Sequence, residues 1–259
     1  MLSFSDRLKM TDLHKSRRIK ILLLIIIHLF TACSAFQNVS DQRDLRQNYL
    51  KAVKDAEVAE PNEIIRNLTA IVPTNMDLLW QGEPGNMRVL VVTWTSWKVY
   101  NDKEGQPVVI PKNIWVTTVP ELKKFCKSKK LAQKEINLRI EQLLGLPPDS
   151  GKTIFVEFWV NPDDLFRPSP DPEITDCEAE LDFPGSDRFV KVSGDHVKWF
   201  NDLKDKSYGE NGYPWTRLGY TYDWGNPDGE VGLSEFIIRA GASVEIHSVT
   251  ETQDYCNPN

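Results

Sequence analysis

The run Thr153 to Val160 (TIFVEFWV) carries one charged residue in eight, which is too apolar for a strand with one face in water. It predicts a central strand covered on both faces, and the rest of the chain has to supply that cover. Arg88 to Tyr100 (RVLVVTWTSWKVY) is rich in β-branched and aromatic residues. Val108 to Ile110 and Ile114 to Thr118 read as short strands, and Asn101 to Gly105 reads as a turn. Helical spacing recurs at Leu45, Tyr49, Ala52, Val53 and Ala56, ending at Glu60-Pro61, and again at Ile64, Ile65, Leu68 and Ile71. Glu121 to Lys130 and Leu131 to Leu144 are further helices, the second with Ile136, Ile140, Leu143 and Leu144 on one face. Ser193 or Asp195 caps a helix through Val197, Phe200 and Leu203. With 41% hydrophobic residues over 259 positions, one sizeable core is affordable. The fold class expected is α+β: a mixed, largely antiparallel sheet with a few packed helices and an amino-terminal helical arm.

The amino terminus sets the compartment. Residues 14–20 (HKSRRIK) are basic, Ile21 to Phe30 are apolar apart from His28, and Leu29-Phe30-Thr31-Ala32-Cys33 follows. Ten apolar residues do not span a bilayer, which takes about 20, but they suit the centre of a signal peptide. Met10 is an alternative start that leaves a compact basic region. This order of charge, apolar run, small residues and cysteine resembles the lipobox of bacterial lipoprotein precursors, with Phe30 where Leu is usual. The resemblance implies a signal peptide over 1–32, acylation of Cys33, and a membrane partner reached through palmitate-like chains. Ser34 after the cysteine implies outer-membrane delivery in a bacterium with two membranes; without lipid, the same leader implies secretion. The tether and helical arm then occupy 33–85, and a single α+β domain occupies 86–259.

Export places Cys126, Cys177 and Cys256 in an oxidising compartment. Leu122, Phe125 and Cys126 share a helical face, so Cys126 is expected as a buried thiol. Cys177 and Cys256 stand in polar, loop-like surroundings and are the expected disulfide. No CxxC or HxxxH occurs and only His196 and His247 follow Cys33, so no metal site is expected from spacing. The net charge is −6, and the six Lys/Arg against two Asp/Glu before Cys33 leave the remainder more acidic still. Such a surface repels a phosphate backbone, which removes nucleic acid as a partner. The excursion 161–187 holds five prolines and nine acidic residues between Asp163 and Asp187, oxygen ligands that would suit calcium or a solvated loop.

Asn226-Pro227-Asp228-Gly229 has the proline and glycine of a tight hairpin turn. If it closes a three-residue loop, Tyr220 faces Phe236 and Leu218 faces Ile238 on a buried face. Arg217, Thr221, Asp223, Glu235 and Arg239 then share the other face, with Glu235 diagonal to Asp223 at roughly 7 Å between Cα atoms. That set reads either as a solvated face of charge pairs or as a catalytic group of Glu235, Asp223 and Arg217 doing acid/base or oxocarbenium-stabilising work. Glu235-Phe-Ile-Ile-Arg-Ala-Gly-Ala-Ser-Val-Glu-Ile246 also resembles the strand-turn-strand of ADP-ribosyltransferases that carries their catalytic glutamate. The resemblance implies that Glu235 bonds the nicotinamide ribose as NAD is cleaved. Leu233 stands where the first Glu of that family's frequent Glu-x-Glu pair would fall, and Ile114 to Thr118 lacks its NAD-binding Arg or His.

Gly145-Leu-Pro-Pro-Asp-Ser-Gly151-Lys152-Thr153 imitates a phosphate-binding loop, but five residues separate its glycines instead of four, and a helix precedes where a strand is needed. Tyr213-Pro214-Trp215 offers a stacking platform. Two functional classes follow. One is a non-catalytic binding or interaction module working through exposed aromatics and the acidic excursion. The other is an enzyme centred on Glu235, NAD-using or a carboxylate-pair hydrolase. No motif calls for a cofactor, and NAD enters only through the resemblance.

Overall fold

The computed structural model describes residues 41–129, 135–185 and 191–257. Cys33 and its leader lie outside them, as do Leu131 and Asp187. The chain divides into two compact units, Met1–Gln47 and Asn48–Asn259. Residues 41–47 of the first unit are helical and belong to helix α1, which runs over 41–55. In the second unit Tyr49, Ala52, Val53 and Ala56 are buried. Residues 48–85 belong to that unit, with Leu68, Ile71 and Leu78 buried.

The chain is α+β. Among the described residues ten strands follow α1: β1 Trp80–Gln81, β2 Arg88–Thr95, β3 Pro107–Val109, β4 Ile114–Thr118, β5 Ile154–Val160, β6 Leu165–Phe166, β7 Tyr220–Tyr222, β8 Val231–Ser234, β9 Phe236–Ile238 and β10 Ser243–Glu251. Eight form one sheet in the order β3-β10-β5-β2-β4-β9-β6 with β1 also on β2, while β7 and β8 pair separately. Their pairings are antiparallel.

All seven residues of β5 are buried, between β10 and β2. Alternation sends successive side chains to opposite faces. Ile154, Val156, Phe158 and Val160 meet Val89, Val91, Phe236 and Ile246 under loop residues such as Tyr100, Ile110 and Ile174. Phe155 and Trp159 meet Leu90, Val92 and Trp94 under helices. Those helices are α2 (Val119–Lys129), α3 (Ile136–Leu143) and α5 (Thr252–Cys256). Glu157, the one charge in this strand, accepts from Tyr255 Oη at 2.8 Å and Ser248 Oγ at 3.0 Å, and Lys123 Nζ lies 2.8 Å away. A buried carboxylate paired and bonded in this way is tolerated where a bare one is not. Helix α4 (Gly194–Ser207) starts at Ser193, whose Oγ accepts from the backbone N–H of His196 at 3.1 Å.

Three local expectations change. The disulfide joins Cys126 to Cys256 with Cα atoms 4.9 Å apart, and Cys177 is the exposed free thiol. The polar residues around Cys256 belong to α5, which buries Thr252, Tyr255 and Cys256, so Cys256 faces the same core as Cys126. Ile64 to Ile71 is irregular instead of helical: Leu68 N–H donates to Cys177 O at 2.9 Å and Ile71 N–H to Ile174 O at 2.7 Å. The excursion supplies hydrogen bonds that a helix would have made internally. The excursion itself winds around Arg167, which is fully buried and donates from Nε to Glu173 O at 2.9 Å and from Nη2 to Asp176 O at 2.9 Å. Asp171, Glu173 and Asp176 act on its charge. Among the described residues no three His, Cys, Asp or Glu side chains gather as a metal ion would need.

Candidate functional site

The hairpin that was expected to display Glu235 closes earlier than its proline-glycine turn suggests. Asp223 N–H donates to Glu230 O at 2.6 Å, so the loop spans the residues between them, and Asn226 folds inside it with its Oδ1 accepting from Asp228 N–H at 3.2 Å. Tyr220 therefore faces Ser234 instead of Phe236, and Tyr222 faces Val231 across a register shift. Beyond Ser234 the chain leaves β7 altogether. Phe236, Ile237 and Ile238 pair with Val116, Trp115 and Ile114 of β4 in the main sheet. Glu235 is the residue at the crossing, its N–H donating to Gly219 O at 2.9 Å. Strands β9 and β10 follow one another around Gly241 but do not pair; β10 lies between β3 and β5.

The crossing buries Glu235 to 6% exposure and leaves its Oε1 without a hydrogen-bond partner. Burial raises the carboxyl's pKa well above the usual glutamate value. An unpaired carboxyl in such a place favours its neutral form.

Glu235 lines a cleft of ≈ 520 Å³, within the range that takes small organic ligands. The cleft runs from the end of β2 across β4 to the Tyr213–Trp215 segment. Trp97, Trp115 and Tyr213 are its exposed aromatics, at 40%, 39% and 51%. Trp215 also lines it but is buried, with its ring 6.1 Å from Trp115 and 5.0 Å from Phe200 and its Nε1 donating to Pro168 O at 3.1 Å. Trp215 thus holds the wall on which Trp115 and Tyr213 stand. Lys112 and Lys152 line the same cleft, with Lys112 Nζ 4.0 Å from the centre of the Trp97 ring.

The other two residues grouped with Glu235 are elsewhere. Asp223 receives both Nη1 and Nη2 of Arg139, at 2.8 and 2.5 Å, and lines a separate hollow of ≈ 380 Å³ with Asp55 and Glu230. Arg217, with φ +62°, turns back to donate from Nη2 to Glu57 O at 3.0 Å and lies over the Tyr208 ring. Arg239 lies over Phe166. Glu235 is the one acidic residue on the wall of the larger cleft among the described residues. The loop that imitates a phosphate site does bind an anion, but its own: Glu141 accepts from Ser150 N–H at 2.6 Å and Asp149 N–H at 3.2 Å.

Sequence reasoning found Tyr213, Trp215 and Glu235 but missed Trp97, Trp115, Lys112 and Lys152. Trp115 had a signal: in Ile114-Trp115-Val116 it alternates against the buried Val116, so a large aromatic is placed on the half-open side of the strand. The lysines had none, since only the sheet brings residues 112 and 152 to one place.

No family model, curated protein or solved structure matches the chain.

Proposed function

We propose that this is a lipid-anchored protein of the bacterial cell envelope that binds a small polar ligand in the aromatic cleft without turning it over. The observation that carries the reading is a cleft lined by the exposed aromatics Trp97, Trp115 and Tyr213 and by Glu235, a buried residue whose Oε1 has no partner. Buried polar atoms are nearly always bonded, so an unpartnered one in a residue that lines a cleft marks that residue as a candidate ligand contact. The basic leader, its apolar run and Cys33 support envelope delivery, and a disulfide persists in an oxidising compartment. Among the described residues no helix is long and apolar enough to cross a membrane.

A second reading makes Glu235 the general acid of an enzyme, and its raised pKa favours that role. The carboxylate-pair version lacks a partner for it, because Asp223 is held by Arg139 and lines the other hollow.

A melting-temperature screen with mono- and oligosaccharides, nucleotides and NAD separates the two. The binding reading expects a ligand that raises the melting point by mass action, is recovered unchanged, and loses its effect in Trp115→Ala. A ligand consumed by the wild type and bound but not consumed by Glu235→Gln establishes the enzyme instead.

A further inference from the structure

We propose that the cleft takes an acidic oligosaccharide of two or three rings, with a ring carboxylate seated between Lys112 and Lys152. This rests on the reading of the cleft as a ligand site and adds the chemistry of the ligand.

Charge is the first argument. In a chain of net charge −6, two lysines share one cleft, and neither makes an ion pair among the described residues. Lys152 is half-buried, and burial together with the neighbouring Lys112 charge lowers the pKa of its amine. Lys112 is exposed, and two cations that repel each other, one of them partly desolvated, gain from any anion that bridges them.

Position is the second. Lys152 lies two residues before β5 begins at Ile154, and Lys112 two residues before β4 begins at Ile114. Ile154 pairs with Thr95 at the end of β2, and Val92 pairs with Thr117 of β4, a register that brings Ile114 level with Thr95. Both lysines thus stand at one end of the cleft. Phe236 pairs with Val116, and Thr117 Oγ1 donates to Ser234 O at 2.8 Å, so Glu235 is level with Thr117. From Ile114 to Thr117 is roughly 10 Å of strand, and the reach of the lysine side chains adds to it. That span suits two or three pyranose rings.

Surface chemistry is the third. Trp115 and Tyr213 are exposed aromatics of the kind against which the C–H faces of pyranoses pack, and Glu235 on the same lining is a polar residue that a sugar hydroxyl would suit. A flat apolar ligand would leave that carboxyl and both ammonium groups unpaired, which costs affinity.

The test titrates the full chain with trigalacturonate, maltotriose and inorganic phosphate, following tryptophan fluorescence. Trigalacturonate is expected to saturate at least tenfold more tightly than maltotriose. The double variant Lys112→Gln/Lys152→Gln should lose at least tenfold of that affinity, and lose more for trigalacturonate than for maltotriose, with a melting point no lower than the wild type's. Equal affinity for the two trisaccharides, or full trigalacturonate affinity in the double variant, overturns the carboxylate assignment and leaves the cleft standing. Lysine-dependent binding of phosphate without trigalacturonate binding overturns the saccharide assignment. If no trisaccharide saturates, this inference is wrong, and the wider screen then decides separately whether the cleft is a ligand site.

Discussion

Glu235 owes its properties to one position in the chain, the step at which a strand passes from one sheet to another. Burial there deprives its side chain of the hydration that stabilises a charge, and this holds its pKa high. The native state therefore keeps a proton that the unfolded chain loses above the ordinary value of 4.5. The stability linked to this group is fully present below that value and declines as pH rises toward the raised native pKa. Glu235→Gln, neutral throughout, is expected to melt above the wild type at pH 8 and close to it at pH 4. A variant that melts below the wild type by the same amount at both values would show that the carboxyl makes a bond the amide cannot. The identity of this residue as the one to examine was legible from its place among Asp223, Arg217 and Arg239. Its surroundings were not, because a period-two pattern assigns faces only within a continuous ladder, and the ladder breaks at Glu235.

Elements show the same division. The apolar run of β5 announced its own position, and the helical face of Leu122, Phe125 and Cys126 announced its burial. Cys256 was misread because a five-residue helix at the end of the chain has too few turns to show periodicity. Non-reducing peptide mapping should link the Cys126 and Cys256 peptides, and Cys177 should react with a maleimide without unfolding. Replacing the pair by alanine is expected to cost about 2–5 kcal/mol in urea unfolding, since the bridge closes a long loop. Cys177 linked to Cys256 would overturn the pairing. A second element-level test concerns the bend before β7. Gly219 has φ +75°, and a Cβ there would fall 2.7 Å from Arg167 Cδ and 3.0 Å from Leu68 Cδ1. Gly219→Ala should destabilise by about 1–3 kcal/mol, and a neutral result would mean that the excursion around Arg167 yields easily.

At the scale of the molecule, the question is where the second unit is held. The leader and Cys33 predict acylation, and palmitate-labelled cells are expected to yield labelled wild-type protein and unlabelled Cys33→Ala. Equal labelling of both would remove the anchor and leave secretion. A chain of net charge −6 is on average repelled by other anions. The lysine-bearing cleft is the local exception to that field, and it is the part of the surface where an anion gains from approach.

The sequence by itself determined the α+β class, the central strand and most helices, because each of these depends on neighbours within about a dozen residues. Local periodicity, turn chemistry and charge order carry such information directly. Tertiary structure alone decided the disulfide partner, the irregular course of Ile64 to Ile71, the burial of Glu235 and the meeting of Trp97, Trp115, Lys112 and Lys152. Each of these depends on which segments the sheet order brings together. That order follows from long-range burial of side chains on both faces of β5, for which no spacing along the chain is a proxy.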